Sequence, residues 1–207
     1  MLESLVEQQY DQLARIYDRR WNTYVENTLN FLKQWAEIPA GAIVLDLACG
    51  TGEFERLLLQ DHPQQQMIGI DISTEMLAIA QRKFQDYTSV TFQQGSATAI
   101  PSKDEYFDVV VCASAFHYFE YPLEAFLEIK RVLKPNGKVV ILDWCKDFFV
   151  CRVCDWVLKR IDPAHQQCYT QRELHQFLSA AHLTIQAATT VRFGLVWGLM
   201  VATATKD

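Results

Sequence analysis

Three acidic residues gather around one glycine turn: Asp46 and Glu53 within "DLACGTGEF" (Asp46 to Phe54), and Asp71 at the end of "GID". The turn lies between an apolar run, Ile43-Val44-Leu45, and a helical pattern that begins at Phe54. Gly50 and Gly52 let the backbone turn tightly and approach a ligand closely, as in nucleotide-binding sheets. Two common guests do not suit this turn. The dinucleotide fingerprint G-x-G-x-x-G/A would place its third glycine on Glu55, and no Gly-Lys-Ser/Thr follows to make a P-loop. A carboxylate at Glu53 also competes with any phosphate for the positive end of the helix. The remaining guest is a nucleoside whose far end is cationic. Asp71 stands about where an acidic residue grips ribose hydroxyls.

Other residues have chemically useful types. His117, in "SAFHYF", follows an apolar strand, and histidine is the residue type suited to accepting a proton at physiological pH, so it is the candidate general base; the alternative is a half-buried histidine that orients a loop. Tyr118 beside it is a candidate pocket wall. Tyr10 and Tyr17 share a helical stripe in "YDQLARIYD" and either pack in the core or present π faces to a cation. Cys145, Cys151, Cys154, His165 and Cys168 resemble a zinc set in type only. There is one C-x-x-C pair, the other spacings match no zinc motif, and Cys151 and Cys154 fall within an apolar helical pattern. No metal site is expected.

These residues need elements to hold them. Apolar side chains from Leu2 to Trp35 recur at steps of three and four, which predicts helix in one or two pieces, ended before Pro39. Strands are expected at Ile43 to Ala48, Met67 to Asp71, Val90 to Gln94, Phe107 to Ala113 and Lys138 to Asp143. Helices are expected at Glu53 to Gln60, Ser73 to Phe84 with Ser73 as N-cap, and Pro122 to Leu133, the last stopped by "KPNG". A helix from about Phe148 to Ile161 comes next. Another runs from Thr170 to Ala181, with a Thr170/Glu173 capping box, and strands at Thr184 to Thr190 and Leu195 to Thr203 finish the chain. Alternating strands and helices predict an α/β fold with a doubly wound, mostly parallel sheet. Ligands of such sheets lie beyond the carboxyl ends of the strands.

The stretches "VLDLACGTGEF", "GIDIS", "GSATAIP", "FDVVVCASAFHYF" and "RVLKPNGKVVI" resemble the class I S-adenosylmethionine-dependent methyltransferases, in that family's order and spacing, over roughly residues 10 to 143. Within the family the likeness is to the small-molecule enzymes of the ubiquinone and menaquinone type. The resemblance implies a seven-stranded Rossmann-like sheet with an antiparallel last strand and an N-terminal helical lid. It implies S-adenosylmethionine as cofactor. Asp46, Ala48, Gly50 and Gly52 would cradle the methionine end, Asp71 the ribose, and Ile72 and Met76 the adenine faces. Ser96 and Ala97 would meet the adenine edge, Ala113 the methionyl end, and Tyr17 the sulfonium. Two positions depart from the pattern: Ala48 replaces a glycine, and Ser96 stands where many members carry Asp. A single domain, residues 1–207, is expected: lid 1–38, cofactor core 39–143, a possible substrate-binding insert 144–169, and a last helix and strands 170–207. Tyr10, Tyr118, Trp144, Trp156 and Tyr169 would wall an apolar or aromatic acceptor pocket. An arsenite methyltransferase would need several thiols near the sulfonium, and the cysteines keep that variant open.

Composition bounds the reading. The 207 residues are half apolar and carry a net charge of -6, so a sizeable core is available and no basic footprint for nucleic acid is visible. The start lacks a signal-peptide pattern, no stretch is long enough to span a bilayer, and six cysteines without targeting suggest a reduced, cytoplasmic setting. The expected partner is a small molecule. Two rivals stand beside methyl transfer: a nicotinamide-dinucleotide oxidoreductase, and a catalytically silent relative that binds the donor as a partner or sensor.

Overall fold

A computed structural model describes residues 2–194 and 197–207. Among these are six α-helices, one 3-10 turn (Phe116–Tyr118) and seven strands, and the strands form one mixed sheet in the order β3-β2-β1-β4-β5-β7-β6. The first helix, α1 (Leu2–Ala36), is a single piece. It is followed by β1 (Ile43–Leu47), α2 (Glu53–Asp61), β2 (Gln66–Asp71), α3 (Thr74–Lys83), β3 (Val90–Gln94) and β4 (Phe107–Ala113). Then come α4 (Pro122–Val132), β5 (Leu133–Trp144), α5 (Phe149–Ile161), α6 (Gln171–Ala180), β6 (Thr184–Phe193) and β7 (Trp197–Thr205). Strands β1 to β5 run parallel; β7 pairs antiparallel with both β5 and β6. The expected beginning of the last strand at Leu195 lies outside the described residues.

The central strands are buried on both sides, which explains their unbroken apolar runs: Val109 to Cys112 and Val139 to Leu142 are all buried. One face is covered by α4 and α6 through Phe126, Ile129, Leu174 and Leu178. The other is covered by α1, α2 and the end of α3 through Leu32, Phe54, Leu58 and Phe84. Helix starts follow their capping residues. The Ser73 hydroxyl accepts from the Met76 N–H at 3.1 Å, and Thr170 and Glu173 form the reciprocal capping box.

One expectation fails in detail. "KPNG" does not separate helix from strand. Instead β5 begins at Leu133, directly after α4, and pairs with Phe107; pairing resumes only at Lys138 opposite Val109. Residues 134–137 therefore bulge within the strand, with Asn136 at φ 63 and its N–H donating to the Lys206 carbonyl at 2.8 Å. The turn residues were read correctly, but sheet pairing on both sides absorbs the turn.

Strand β1 pairs with β2 on one side and β4 on the other, so the sheet order reverses at its carboxyl end. This switch point is where a ligand crevice opens in such sheets.

Candidate active site

At the end of β1 the chain turns through Ala48 (φ 64), Gly50 (φ 54) and Gly52 (φ 81), all in the left-handed region. Ala48 tolerates this conformation with a Cβ, at a cost of about 1–2 kcal/mol. The Ala48 and Cys49 N–H groups both donate to the Ile70 carbonyl, at 2.7 and 3.1 Å. From β2, Asp71 reaches back: Oδ2 accepts from the Gly50 N–H at 2.8 Å and Oδ1 from the Ser73 N–H at 2.9 Å. Burial raises the Asp71 carboxyl above its usual range, against the lowering effect of these backbone donors.

The turn separates two cavities. The larger encloses about 840 Å³ of empty space, part of it open to solvent, between Asp71, Ile72 and Met76 on one side and Ala97 and Thr98 on the other. The smaller, about 490 Å³, is bounded by Asp46, Cys49, Thr51 and Glu53, with Thr28 and Leu29 of α1. Tyr17, Ala48, Gly50, Ala113 and Ser114 belong to both walls, so the two cavities meet there.

Helix α1 roofs this rim with polar contacts along most of its length. Glu3 pairs with Ser96, Glu7 with Gln94, and Asp11 accepts from the Ser73 hydroxyl at 2.6 Å. Asp18 accepts from Thr51 at 2.5 Å and from the Lys83 ammonium at 2.6 Å. Tyr24 ends the series: its hydroxyl lies 2.8 Å from the Ser114 hydroxyl and accepts from Trp144 Nε1 at 2.8 Å. Burial raises the phenols of Tyr10, Tyr17 and Tyr24, and that of Tyr118 to about 12, so all four are neutral at physiological pH. Tyr24→Phe is expected to destabilise the protein by about 1–2 kcal/mol, because it strands the Ser114 hydroxyl and the Trp144 N–H. Denaturant unfolding measures the loss, and faster amide exchange confined to α1 would mark it as a loosened roof.

The acidic ring expected around the turn is smaller than its sequence. Burial pushes the Glu53 carboxyl up, but ion pairs to Lys83 at 2.6 Å and Arg56 at 2.7 Å prevail, so it is lowered and neutralised. Glu55 points inward: it is completely buried and interacts with Asp46 beneath the turn. Glu53 still borders the smaller cavity, but Asp46 and Asp71 face the cavities without an ion pair among the described residues.

The other site expectations divide. Tyr10, Tyr17, Ala48, Gly50, Asp71, Ile72, Met76, Ala97, Ala113 and Tyr118 line the larger cavity, and Asp46 the smaller. Gly52 lines neither. It is the N-cap of α2, and a Cβ there would lie 2.8 Å from the Phe84 ring. Ser96 is not among the lining residues, but its hydroxyl bonds to Glu3 and Thr98, which both line the larger cavity. Trp156 does not wall a pocket; it is 59% exposed on the outer side of α5, under the Arg160 guanidinium. Tyr169 is core, its ring 4.6 Å from that of Phe116. Trp144 sits behind the wall, holding Tyr24 and stacked on His117 at 4.9 Å.

His117 is also behind the wall. Its ring is buried between Tyr118 and Trp144, and Nδ1 lies 2.7 Å from Asp143 Oδ1. Asp143 Oδ2 accepts from the His117 N–H at 2.9 Å. A donor Nδ1 leaves Nε2 as the ring's proton acceptor. Thr98, Ser114 and Tyr24 were missed by sequence. Only Tyr24 carries a signal, since it extends the seven-residue spacing of Tyr10 and Tyr17 along one face.

The cysteine-rich segment forms a separate buried group, Asp155, His165 and Cys168, whose ligand-type atoms lie within 4.8 Å. Asp155 Oδ1 accepts from His165 Nε2 at 3.0 Å and the Cys168 N–H at 2.6 Å, and Oδ2 faces Lys146 and Lys159, both at 3.2 Å. Burial raises the Asp155 carboxyl, but these donors prevail and hold it at about 2. Burial also pushes the Cys145 thiol up to about 12 and raises Cys151 and Cys168. Two ammoniums thus balance the Asp155 carboxylate in this group.

Comparisons with known proteins converge. A family model described as a methyltransferase domain matches residues 45–141. An uncharacterized methyltransferase-like protein of Schizosaccharomyces pombe is 45% identical over 102 residues, 49% of this chain and 38% of that protein. A 2-phytyl-1,4-naphtoquinone methyltransferase of Thermosynechococcus vestitus is 31% identical over 140 residues, 65% of this chain and 62% of that protein. The chain thus spans less than two thirds of either relative. Among solved structures, the YcgJ protein of Bacillus subtilis superposes with a TM-score of 0.75 at 22% identity, over 87% of this chain and 98% of that one. At that identity the likeness establishes the fold.

Proposed function

Residues 45–141 belong to the methyltransferase-domain family, on a class I methyltransferase fold, and from that premise we propose that the protein transfers a methyl group from S-adenosylmethionine to a small apolar or aromatic acceptor. The observation that carries this is the junction of two cavities at Tyr17, Ala48, Gly50, Ala113 and Ser114. The residues present fit the donor. The larger cavity offers an acidic group, Asp71, for ribose hydroxyls, apolar walls at Ile72 and Met76 for adenine, and the Ala97–Thr98 edge. The smaller offers Asp46 to a cationic amino acid end.

When bound, S-adenosylmethionine supplies a methyl group on a cationic sulfur with a neutral thioether as leaving group. The protein therefore has no leaving group to protonate. Its residues position and exclude water. The neutral Tyr17 ring at the junction presents a π face to a cation without titrating against it. Helix α1 keeps the rim closed. Tyr10 and Tyr118, whose rings meet at 5.6 Å, and Phe119 form the apolar side toward an acceptor. The T. vestitus relative is named for a naphthoquinone substrate, and an apolar ring system of that class suits this wall.

If the acceptor must lose a proton, His117 is the base in this reading, its tautomer set by Asp143. The Tyr118 ring stands 4.2 Å from it and belongs to the cavity wall, so His117 reaches an acceptor only past Tyr118. Full turnover by His117→Ala would remove it from the reaction.

The test is calorimetry with S-adenosylhomocysteine and NAD, followed by transfer of a labelled methyl group to a panel of reduced naphthoquinones and phenols. Micromolar binding of the first ligand and a labelled apolar product are expected. NAD binding alone would overturn the reading in favour of an oxidoreductase. Homocysteine-nucleoside binding with no product across the panel would favour a donor-binding sensor.

A further inference from the structure

Helix α5 is amphipathic the wrong way round. Its buried positions are Cys151 and Asp155, while Phe149, Val150, Val153, Trp156, Val157 and Ile161 are exposed, Phe149 and Ile161 at 70% each. At about 100° per residue these six side chains occupy one arc of roughly 140°. A helix that sends its carboxylate inward and its large apolar groups outward expects cover on that side.

The charges say what kind of cover. The chain is acidic overall, at -6, yet α5 carries Arg152, Lys159 and Arg160, and its single acid, Asp155, is buried and paired. Two of these cations are placed on the ridge itself, while Lys159 pairs with Asp155: the Arg160 guanidinium lies 3.8 Å over the Trp156 ring, and that of Arg152 lies 5.9 Å over Phe149. A second copy of this chain, docked ridge to ridge about a two-fold axis, would bring like charges together. An apolar arc with aromatic residues and snorkelling arginines is the composition of a helix that lies in a membrane interface.

We propose that α5 is an interfacial docking helix that seats the protein on an anionic lipid surface, with Phe149, Val153, Trp156 and Ile161 among the acyl chains and Arg152 and Arg160 at the headgroups. No helix of the described residues is long and apolar enough to cross a membrane, so the contact is with one leaflet. The far end of the ridge has a use. Ile161 and Leu158 border an open groove with Leu5 and Gln9 of α1, which Asp162, Pro163 and Ala164 also line. The seat thus sets the seam between α5 and the roof helix against the lipid, where an apolar molecule dissolved in the leaflet meets the protein.

The surface goes beyond the methyl-transfer reading, and its test uses neither donor nor acceptor. The full chain is floated with phosphatidylcholine vesicles and with vesicles containing 30% phosphatidylglycerol. Binding to the anionic vesicles is expected, at least about tenfold tighter than to the neutral ones and weakened by salt. Val153→Asp with Ile161→Asp should abolish it, and Arg152→Gln with Arg160→Gln should weaken it about tenfold. These positions are exposed, and an unchanged melting temperature shows that the fold is intact. Absence of vesicle binding, equal binding by the aspartate variant, or a concentration-dependent dimer that the aspartate variant dissolves in place of vesicle binding would each overturn the proposal. Such a failure would leave donor binding and methyl transfer standing.

Discussion

Asp71→Ala is expected to weaken binding of S-adenosylhomocysteine by roughly 1.5–3 kcal/mol, about ten- to 150-fold, in calorimetry near pH 7.5. Two consequences combine. A carboxylate facing the larger cavity is lost to the ribose hydroxyls, and the Gly50 N–H, 2.8 Å from Asp71 Oδ2, loses its acceptor. The second loss loosens the turn itself, because Gly50 borders both cavities. Asp71→Asn keeps one oxygen acceptor of the right shape and should fall between the wild type and the alanine variant. An unchanged dissociation constant in the alanine variant would show that the ribose is held elsewhere.

The sequence made the frame legible because local and global signals agree there. Strand and helix periods alternate from Ile43 to Leu142, and Ser73 and Thr170 mark helix starts that the structure keeps. The glycine turn was readable for the same reason, since two glycines between a strand and a helix leave the backbone few alternatives. Side-chain direction was less legible. Trp156 and Tyr169 have the right types for a pocket, but α5 turns Trp156 outward and the Phe116 and Phe177 rings draw Tyr169 into the core. Ser96 was placed on the correct loop, and its hydroxyl rotates to the roof helix. Charge counted along the chain also misled at the turn: three carboxylates near a glycine turn suggest a negative basin, whereas Lys83 takes Glu53 and the fold buries Glu55. Long-range pairing decides these outcomes, and one-dimensional spacing does not encode it.

The buried Glu55 yields the second large effect. Glu55, in the first turn of α2, is completely buried; its carboxyl oxygens have no hydrogen-bond partner among the described residues, and its carboxyl interacts with that of Asp46. Burial is the main cause that raises both groups, Asp46 to about 7 and Glu55 well above the usual carboxylate range; Asp71 adds to the first, and Lys83 only partly opposes the second. The two buried carboxyls interact, so they titrate together and not independently. The sign follows from linkage. Their folded values exceed the unfolded ones, so the stability they contribute is complete below about pH 4 and is lost as pH rises through about 7 and beyond. Each proton bound more tightly by the folded state costs about 1.4 kcal/mol per pH unit across that window. Glu55→Gln removes one of the two acids and gives Asp46 a permanent amide donor. The variant should therefore be more stable than the wild type at pH 8 by about 2–3 kcal/mol, a rise of roughly 5–10 °C in Tm, with the gain vanishing near pH 5. Calorimetric melts at the two pH values measure it. A variant less stable at pH 8, or a difference independent of pH, would show that ionisation of the buried Glu55 carboxyl does not destabilise the fold. The same pair faces the smaller cavity through Asp46, so donor affinity in the wild type should rise with pH as Asp46 becomes a carboxylate. In Glu55→Gln burial still holds the Asp46 carboxyl up, so that dependence should persist.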